Sequence, residues 1–520
     1  MTDAPALGGP VGAWEVEEGT RRDVPGIVLG TDDFTLTARI DVPAATGSGI
    51  GDVAALFDAA SRRGFSIGLH HGSSCGNHGN DRNLFFGIDA GTEPRAADHG
   101  QPSPATIMVC ALAVFEGALY AATWETVPEA RGHVYRLAGE RWIDCGAVGD
   151  ANAVTRLAVY EGQLYAGTSR LRGGGSGMPD SPNTAPGGHV YRYEPDASWV
   201  DVGGLDGADS VAGLVPHAGD LYAIPMYSEG LFRLGAHGWE PCGSPGRRLL
   251  ALGVHDGALY GAGNDHADVV SAIAQTAAGI VVPARSELGG GGMFRFDRDD
   301  GWTSLGLQPD TTQVYSIETY GGELFIGTWP KGLVFRHAGG DRWNGQGRLG
   351  DDTEVMNLLA YNGKLYGGTL PGAHVYRFDG PDRWARVATL DTTPGVLYRR
   401  AASMVVFGGR LFCGTLPSGR VHSIAAGLMA SDDHALAPGI RHIAAVRSQA
   451  AVELFVDGRS VGRSVVQPGV EPFDLGSGTL LLGGGPRAAF EGRIEQVALY
   501  DRALDGNEIA SLAGITASRG

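Results

Sequence analysis

The chain has 520 residues, of which 43% are hydrophobic and 19% charged, and carries a formal net charge of −18. That length exceeds one ordinary domain, and the composition is that of a folded globular chain. The acidic balance argues against nucleic acid as a partner, no apolar run approaches the roughly 18 residues of a membrane span, and five cysteines without C-x-x-C spacing argue against a disulfide framework.

A reducing cytoplasm is the expected location, since Met1–Gly19 lacks the basic start and apolar stretch of a secretion signal. The 84 glycines imply many tight turns and therefore an all-β chain. Three alternating segments come first: DDFTLTARIDV (Asp32–Val42), GFSIGLH (Gly64–His70) and NLFFGID (Asn83–Asp89). Between the last two lie His70, His71, Cys75 and His78, an imidazole and thiolate set of the kind that suits zinc. Their spacing matches no metal motif, and the intervening Gly, Ser and Asn are ordinary loop residues. The alternative is a hydrogen-bonded loop that docks one domain on another. No cofactor is called for elsewhere.

A phrase then repeats: apolar strand, two-residue turn, Leu-Tyr-x-Gly-Thr, loop, Val-Tyr-Arg, turn, Trp. It reads LAVYEGQLYAGT…HVYRYEPDASW over 157–199 and LLAYNGKLYGGT…HVYRFDGPDRW over 358–384. The aromatic after Leu falls at Tyr120, Tyr165, Tyr222, Tyr260, Phe325, Tyr366 and Phe412. Spacings near 40–50 residues with four short strands per repeat predict seven propeller blades, loosely similar to kelch-type repeats. The last blade lacks its fourth strand, and Pro94–Gly100, which aligns with Glu140–Gly146, is expected to supply it and close the ring. The propeller then spans about 91–424.

Ligand sites are expected on the face built by the b–c and d–a loops, where blades 1, 2 and 4 have long b–c loops and the others minimal turns. Blade 4's insert, Asn264–Gly292, contains Ala267–Ala278 of helical composition. Trp124 and Trp329, the propeller tryptophans outside the repeat phrase, occupy one position just after strand b. They either stack on a sugar or cap the channel rim. Glu125, Arg170, Arg247, Arg248, Asn264, Lys331, Arg399 and Arg400 are expected to share that face. Arg399 and Arg400 would bind an acidic ligand or pair with Asp351, Asp352 and Glu354 next door. Asp265, His266, Tyr227 and Glu229 are the candidates for acid–base chemistry. His133, His189 and His374 share one repeat position and read as framework.

The C-terminal stretch departs from the repeat. His442, Val456-Asp457-Gly458, Phe490–Ile494, Tyr500-Asp501 and the Ala503–Ala513 tail resemble the second half of a laminin-G-like, concanavalin A-type jelly roll. The resemblance implies that the N-terminal segments are that fold's first half. The expected architecture is therefore a sandwich of 1–90 with 425–520, with a propeller inserted into it. By analogy such modules bind carbohydrate or protein. Two functions follow: a carbohydrate- or small-polar-ligand-binding protein, or a hydrolase or lyase acting on a sugar-like or acidic substrate at the same face. The expected partner is a small molecule or glycan, without nucleic acid or membrane, and assembly into a homo-oligomer stays open.

Overall fold

The computed structural model describes residues 9–16, 20–44, 51–74, 77–126, 130–264, 274–276, 279–281, 291–467 and 471–514. Two sheets are assembled from both ends of the chain. One runs in the order Gly12–Trp14, Arg493–Tyr500, Phe34–Val42, Gly439–Arg447, Ala451–Val456, Arg459–Val465. The other runs Arg22–Val28, Ser477–Leu482, Gly51–Asp58, Arg63–Ser74, Asn77–Ala90, Leu428–Ala435. In Phe34–Val42 the strand period of two sends Leu36, Ala38, Ile40 and Val42 into a core shared with Ile67 and Phe86 of the other sheet. That core also takes in Ile443, Leu454, Leu482 and Val497, so neither terminal segment has a complete core alone.

The remaining strands form, among the described residues, seven four-stranded antiparallel sheets. In blade 2 these are Ala153–Tyr160, Gln163–Ser169, His189–Tyr193 and Trp199–Gly204, strands a to d. The seven a strands are Thr106–Phe115, Ala153–Tyr160, Val211–His217, Arg248–His255, Gln313–Tyr320, Glu354–Tyr361 and Arg400–Phe407. Each packs on the next and the seventh packs on the first, so they are the inner wall of a closed ring. Every a–b turn has two consecutive residues at positive φ, for example Glu161-Gly162 (49° and 68°) and Asn362-Gly363 (42° and 79°). That is the two-residue hairpin geometry matching strand twist, and it explains the glycine at the second position.

Blade 7 takes its fourth strand from Arg95–Asp98, which pairs with Val421–Ala425. A hydrogen bond shows that this strand occupies a true d position. In blades 2, 5 and 6 the d-strand indole donates to the preceding blade: Trp199 to Cys145 O (3.0 Å), Trp343 to Leu305 O (2.8 Å) and Trp384 to Gln346 O (2.9 Å). Trp142 of blade 1 donates in the same way to His99 O (2.9 Å), just beyond the closing strand.

The second sheet of the sandwich docks on the a–b turns. Gly321 and Gly322 donate to Pro486 O and Arg487 O (both 2.7 Å), and Asn362 Nδ2 donates to Ile88 O (3.1 Å) and Ala426 O (2.6 Å). Phe57 lies so close to Gly363 that a Cβ there would sit 2.4 Å from its ring. The hairpin Arg63–Ser74/Asn77–Ala90 continues past the sandwich into the ring. Its second arm lies against the a strands of blades 7, 1 and 2, and its first arm against those of blades 3, 4 and 5. Gly79 pairs with Ala113 in parallel, and Asn80 Nδ2 donates to Val406 O (3.0 Å). Strand a of blade 1 runs from the loop face toward the a–b turns, so a parallel partner enters with its tip toward the loop face.

Part of blade 4's insert departs from the helical expectation. Ala274–Thr276 and Gly279–Val281 pair as a short hairpin, and the rest of Ala267–Ala278 lies outside the described residues. Among the described residues no helix is long and apolar enough to cross a membrane.

Candidate functional site

With the a–b face covered by the sandwich, the opposite end of the ring is where the b–c and d–a loops meet. One residue per blade stands at or next to the start of the inner strand there: Met108, Ala153, Ser210, Arg248, Gln313, Glu354 and Arg400. Six of them pair with a residue at or next to the end of strand b, as in Arg248↔Asn264, Gln313↔Trp329, Glu354↔Leu370 and Arg400↔Leu416. In blade 3, Ser210 O instead accepts from the Met226 N–H (3.1 Å). Neighbouring blades join at this level through Trp124↔Ala153, Ser169↔Ser210 and Asn264↔Gln313. The rung is apolar or small on blades 1 to 3 and polar on blades 4 to 7.

The apolar arc is roofed. The blade 2 loop is pinned by Asn152, which donates to Leu171 O (3.0 Å) and accepts from Leu171 N–H (2.8 Å), and by Asn183, which donates to Ala130 O (2.7 Å) and Asp150 O (2.9 Å). From there it crosses blade 1 and reaches blade 7, where a Cβ on Gly177 would lie 3.1 Å from Tyr398 and 3.3 Å from Leu397. Leu171 and Met178 of this loop pack with Met108, Trp124, Ala153, Ala402 and Leu416.

Of the two alternatives for the tryptophans, stacking on a ligand or capping the channel rim, their burial agrees with the second. Trp124 is 0% exposed and Trp329 7%, so neither offers a broad face for stacking. The indole N–H of Trp124 is buried without a hydrogen-bond partner. Other candidates are likewise committed elsewhere. Buried Glu125 accepts hydrogen bonds from Tyr135 (3.1 Å), Thr123 (3.2 Å) and Thr106 (3.3 Å). Lys331 pairs with Asp310 at 3.2 Å, Glu229 accepts from Ser244 Oγ (2.8 Å), and Arg399 Nε donates to Thr393 O (2.7 Å). Arg170 is half-buried, with its backbone N–H on Asp209 O (2.9 Å). Tyr227 lies under the Arg172 guanidinium, 4.3 Å from its ring centroid, and burial raises its hydroxyl pKa. Arg248 donates to Met226 O (3.1 Å). Asp265 and His266 lie outside the described residues.

The structure does gather one cluster at the mouth. Glu354 begins strand a of blade 6, Arg400 begins strand a of blade 7, and Tyr398 lies on the segment leading to it. Glu354 is 3% exposed and its Oε1 has no hydrogen-bond partner. Burial pushes its carboxyl up to about 7 against the pull of the Arg400 guanidinium. Burial raises the Tyr398 hydroxyl too, with Glu354 adding to the effect. Two carboxylates once expected as partners of the arginines act differently: Asp352 holds His374 (2.8 Å), and Glu354 is the one near Arg400. Nearby Cys110 is pushed up to about 12 by burial, which makes it a poor nucleophile.

Glu354 and Gln313 were not anticipated as ligand residues. A signal for them was present: in all seven blades the rung residue stands sixteen positions before a residue at or next to the end of strand b, from Met108/Trp124 to Arg400/Leu416.

Of the other candidates, His70 lies against the Phe85 ring in a tilted contact (centroids 4.3 Å apart) while His71 pairs with Asp81 (3.2 Å). Cys75 lies outside the described residues, as does the side chain of His78. Among the described residues no group of three or more metal-ligating side chains occurs. His133 and His189 pair with Asp144 and Asp201 (both 2.9 Å), the framework role that their repeat position suggests.

Residues 426–510 match the family model of the concanavalin A-like lectin/glucanases superfamily. No curated protein matches the chain. Among solved structures it is similar to a streptogramin B lyase (11% identity, covering 64% of this chain and 98% of that one, TM-score 0.47). It is also similar to virginiamycin B lyase from Staphylococcus aureus (9%, 64% and 99%, 0.47) and to a chain of the Mitotic Checkpoint Complex (12%, 67% and 94%, 0.38). These likenesses are too distant for the activities in those names to extend to this chain.

Proposed function

We propose that this protein binds a carbohydrate or another small polar ligand at the loop-face mouth of a seven-bladed propeller, 91–424, inserted into a concanavalin A-like sandwich of 1–90 and 425–520. The observation that carries the reading is the polar arc of the rung, where four consecutive blades present Arg248, Gln313, Glu354 and Arg400 at one level. Polar groups converging at the mouth of an enclosed channel are how small-ligand sites are built. The sandwich is less available, because its second sheet is docked on the propeller and its C-terminal helix Gly506–Leu512 packs on Ala444, Val446, Phe455 and Tyr500 of the first.

The enzyme reading has one observation of its own. A buried carboxyl held near neutrality beside a guanidinium is equipped for proton transfer at physiological pH. A panel of neutral and acidic sugars, screened by shift in thermal unfolding, tests the binding reading. Hits should be weakened at least tenfold, about 1.4 kcal/mol, by Arg400→Ala. Hits that Arg400→Ala leaves intact but changes around Asp457 abolish would move the site to the sandwich.

A further inference from the structure

Resting on that reading of the mouth, we infer that the blade 2 loop is a hinged lid, and that lifting it opens an apolar subsite on Trp124. The ligand is then amphipathic, with a polar part at the rung and, under the lid, a ring that bears a hydrogen-bond acceptor.

The loop has the mechanics of a lid. Its middle, 173–180, is a knuckle closed on itself: the Gly173 N–H donates to Asp180 Oδ1 (2.6 Å), and the Ser176 and Met178 N–H groups donate to Gly173 O (2.8 and 3.0 Å). Its two necks are tied down at Asn152 and Asn183. Arg172 adds an exposed pair with Asp209 (3.4 Å) at the first neck. Among the described residues no hydrogen bond or ion pair joins 173–182 to blade 1 or blade 7. What seats the knuckle is apolar contact, Met178 on the Trp124 cluster and Gly177 against Leu397 and Tyr398. A body rigid within itself, tethered at both ends and seated by apolar contact, lifts without breaking a hydrogen bond.

The floor beneath has the chemistry of a ligand surface. Trp124 is 0% exposed, and its indole N–H, which can only donate, has no partner. Its sequence neighbour Glu125 is already taken by Tyr135, Thr123 and Thr106. Around the indole stand Met108, Ala153, Ala402, Leu416, Leu171 and Met178. A water placed in that apolar cluster lacks the two to four polar partners, roughly, that hold a buried water. An acceptor carried on an apolar ring satisfies the N–H and replaces the packing of Met178 together.

The first test needs no ligand. Cys110 packs in the same cluster under the lid and is 3% exposed, whereas Cys413 is 0% exposed in a core shared by blades 6 and 7. The native full chain is treated with N-ethylmaleimide, and both positions are followed by peptide mass spectrometry. Cys110 should react about tenfold faster than Cys413 or more, because a local opening is reached more often than global unfolding. A Cβ on Gly177 lies 3.3 Å from Leu397 Cβ, close to the disulfide range of about 3.5–4.5 Å, so Gly177→Cys with Leu397→Cys staples the lid. The oxidised double variant should lose the Cys110 advantage, and prior reduction should restore it. Equal rates at the two cysteines in wild type, or a Cys110 rate indifferent to the staple, overturns the lid.

The second test compares para-nitrophenyl with methyl glycosides of D-glucose, D-galactose and D-mannose by titration calorimetry. The nitrophenyl member of a binding pair should bind about tenfold more tightly or better than its methyl partner. Trp124→Phe, checked for native unfolding, and the oxidised staple should each abolish that preference. Equal affinity within every binding pair, or a preference that survives either change, overturns the subsite. No glycoside bound by a protein whose Cys110 opens through the lid overturns the underlying reading of the mouth instead.

Discussion

The two ends of the ring put buried polar groups to different use. At the turn end the Lys364 ammonium, almost wholly buried, donates to Ala59 O (2.5 Å) and lies 3.5 Å from Asp379, and the Asn362 amide spends its donors on Ile88 O and Ala426 O. At the loop end Glu354 Oε1, Asn264 Oδ1 and Trp124 Nε1 are equally buried but have no hydrogen-bond partner. A buried polar group left unpaired costs about 1–3 kcal/mol, so three around one mouth mark a place where stability has not been maximised. Polar burial at the turn end joins two domains, although Arg377 Nη1 and Arg487 Nε are unpaired there too; at the loop end the unpaired atoms line the mouth.

The largest break of this contrast removes the glue and the closing strand together. Deleting residues 1–100 takes away sandwich strands and Arg95–Asp98, so the remaining chain should aggregate or lose cooperative unfolding. A soluble chain starting at Ile107, unfolding at the wild-type temperature, would show that the ring closes without help. A narrower cut is Asn362→Ala, which strips donors from Ile88 O and Ala426 O and puts alanine at a φ of 42°. It should cost about 2–4 kcal/mol in denaturant unfolding, and a loss under about 0.5 kcal/mol would mean the docking face tolerates unpaired carbonyls.

A third test uses pH. Burial raises Asp52, inside the sandwich, to about 6, although Arg487 pulls it down by its charge and by a backbone hydrogen bond (2.8 Å). A raised carboxyl stabilises the fold most below its ordinary value near 4, and that contribution is lost as pH rises through about 6. Asp52→Asn should therefore match wild type near pH 4 and exceed it at pH 8 by up to about 3 kcal/mol. An advantage that shrinks with rising pH would reverse the assignment. The smallest effect belongs to Lys331→Ala, which opens a solvent-exposed pair with Asp310 and should change stability by less than about 0.5 kcal/mol. It should leave ligand binding untouched, in contrast to Arg400→Ala.

The architecture was largely legible because its markers repeat. The Leu-Tyr-x-Gly-Thr strands locate the b positions, and the d-strand tryptophans mark where each blade meets the one before. The alignment of His99 with Cys145 finds its physical counterpart in two equivalent indole hydrogen bonds. The site was less legible for two physical reasons. Trp124 looks exposed in sequence because the residues that bury it, Leu171 and Met178, belong to another blade's loop, whose path no local pattern reveals. Glu354 was expected only as a counter-ion of the blade 7 arginines, and its burial at the start of an inner strand, next to the blade that carries Arg400, is not visible in the acidic run around it. The entry of the His70–Asp81 hairpin into the ring depends on how two domains are mated, a relation that residue spacing does not encode.

The chain's threading also sets a timetable for its birth on the ribosome. Phe34–Val42 can pair only with Gly439–Arg447 and Arg493–Tyr500, and Arg95–Asp98 only with Val421–Ala425. The ring cannot close until Val421–Ala425 has emerged, and the sandwich core cannot be completed until Arg493–Tyr500 has followed it. At about 5–20 residues per second the inserted ring alone takes tens of seconds to synthesise, and throughout that time the apolar faces of Phe34–Val42 and Arg63–Ser74 lack their final partners. A nascent chain in that condition is a client for holding chaperones, and its vulnerability to aggregation during synthesis should rise with any codon choice or temperature that slows translation of the blades.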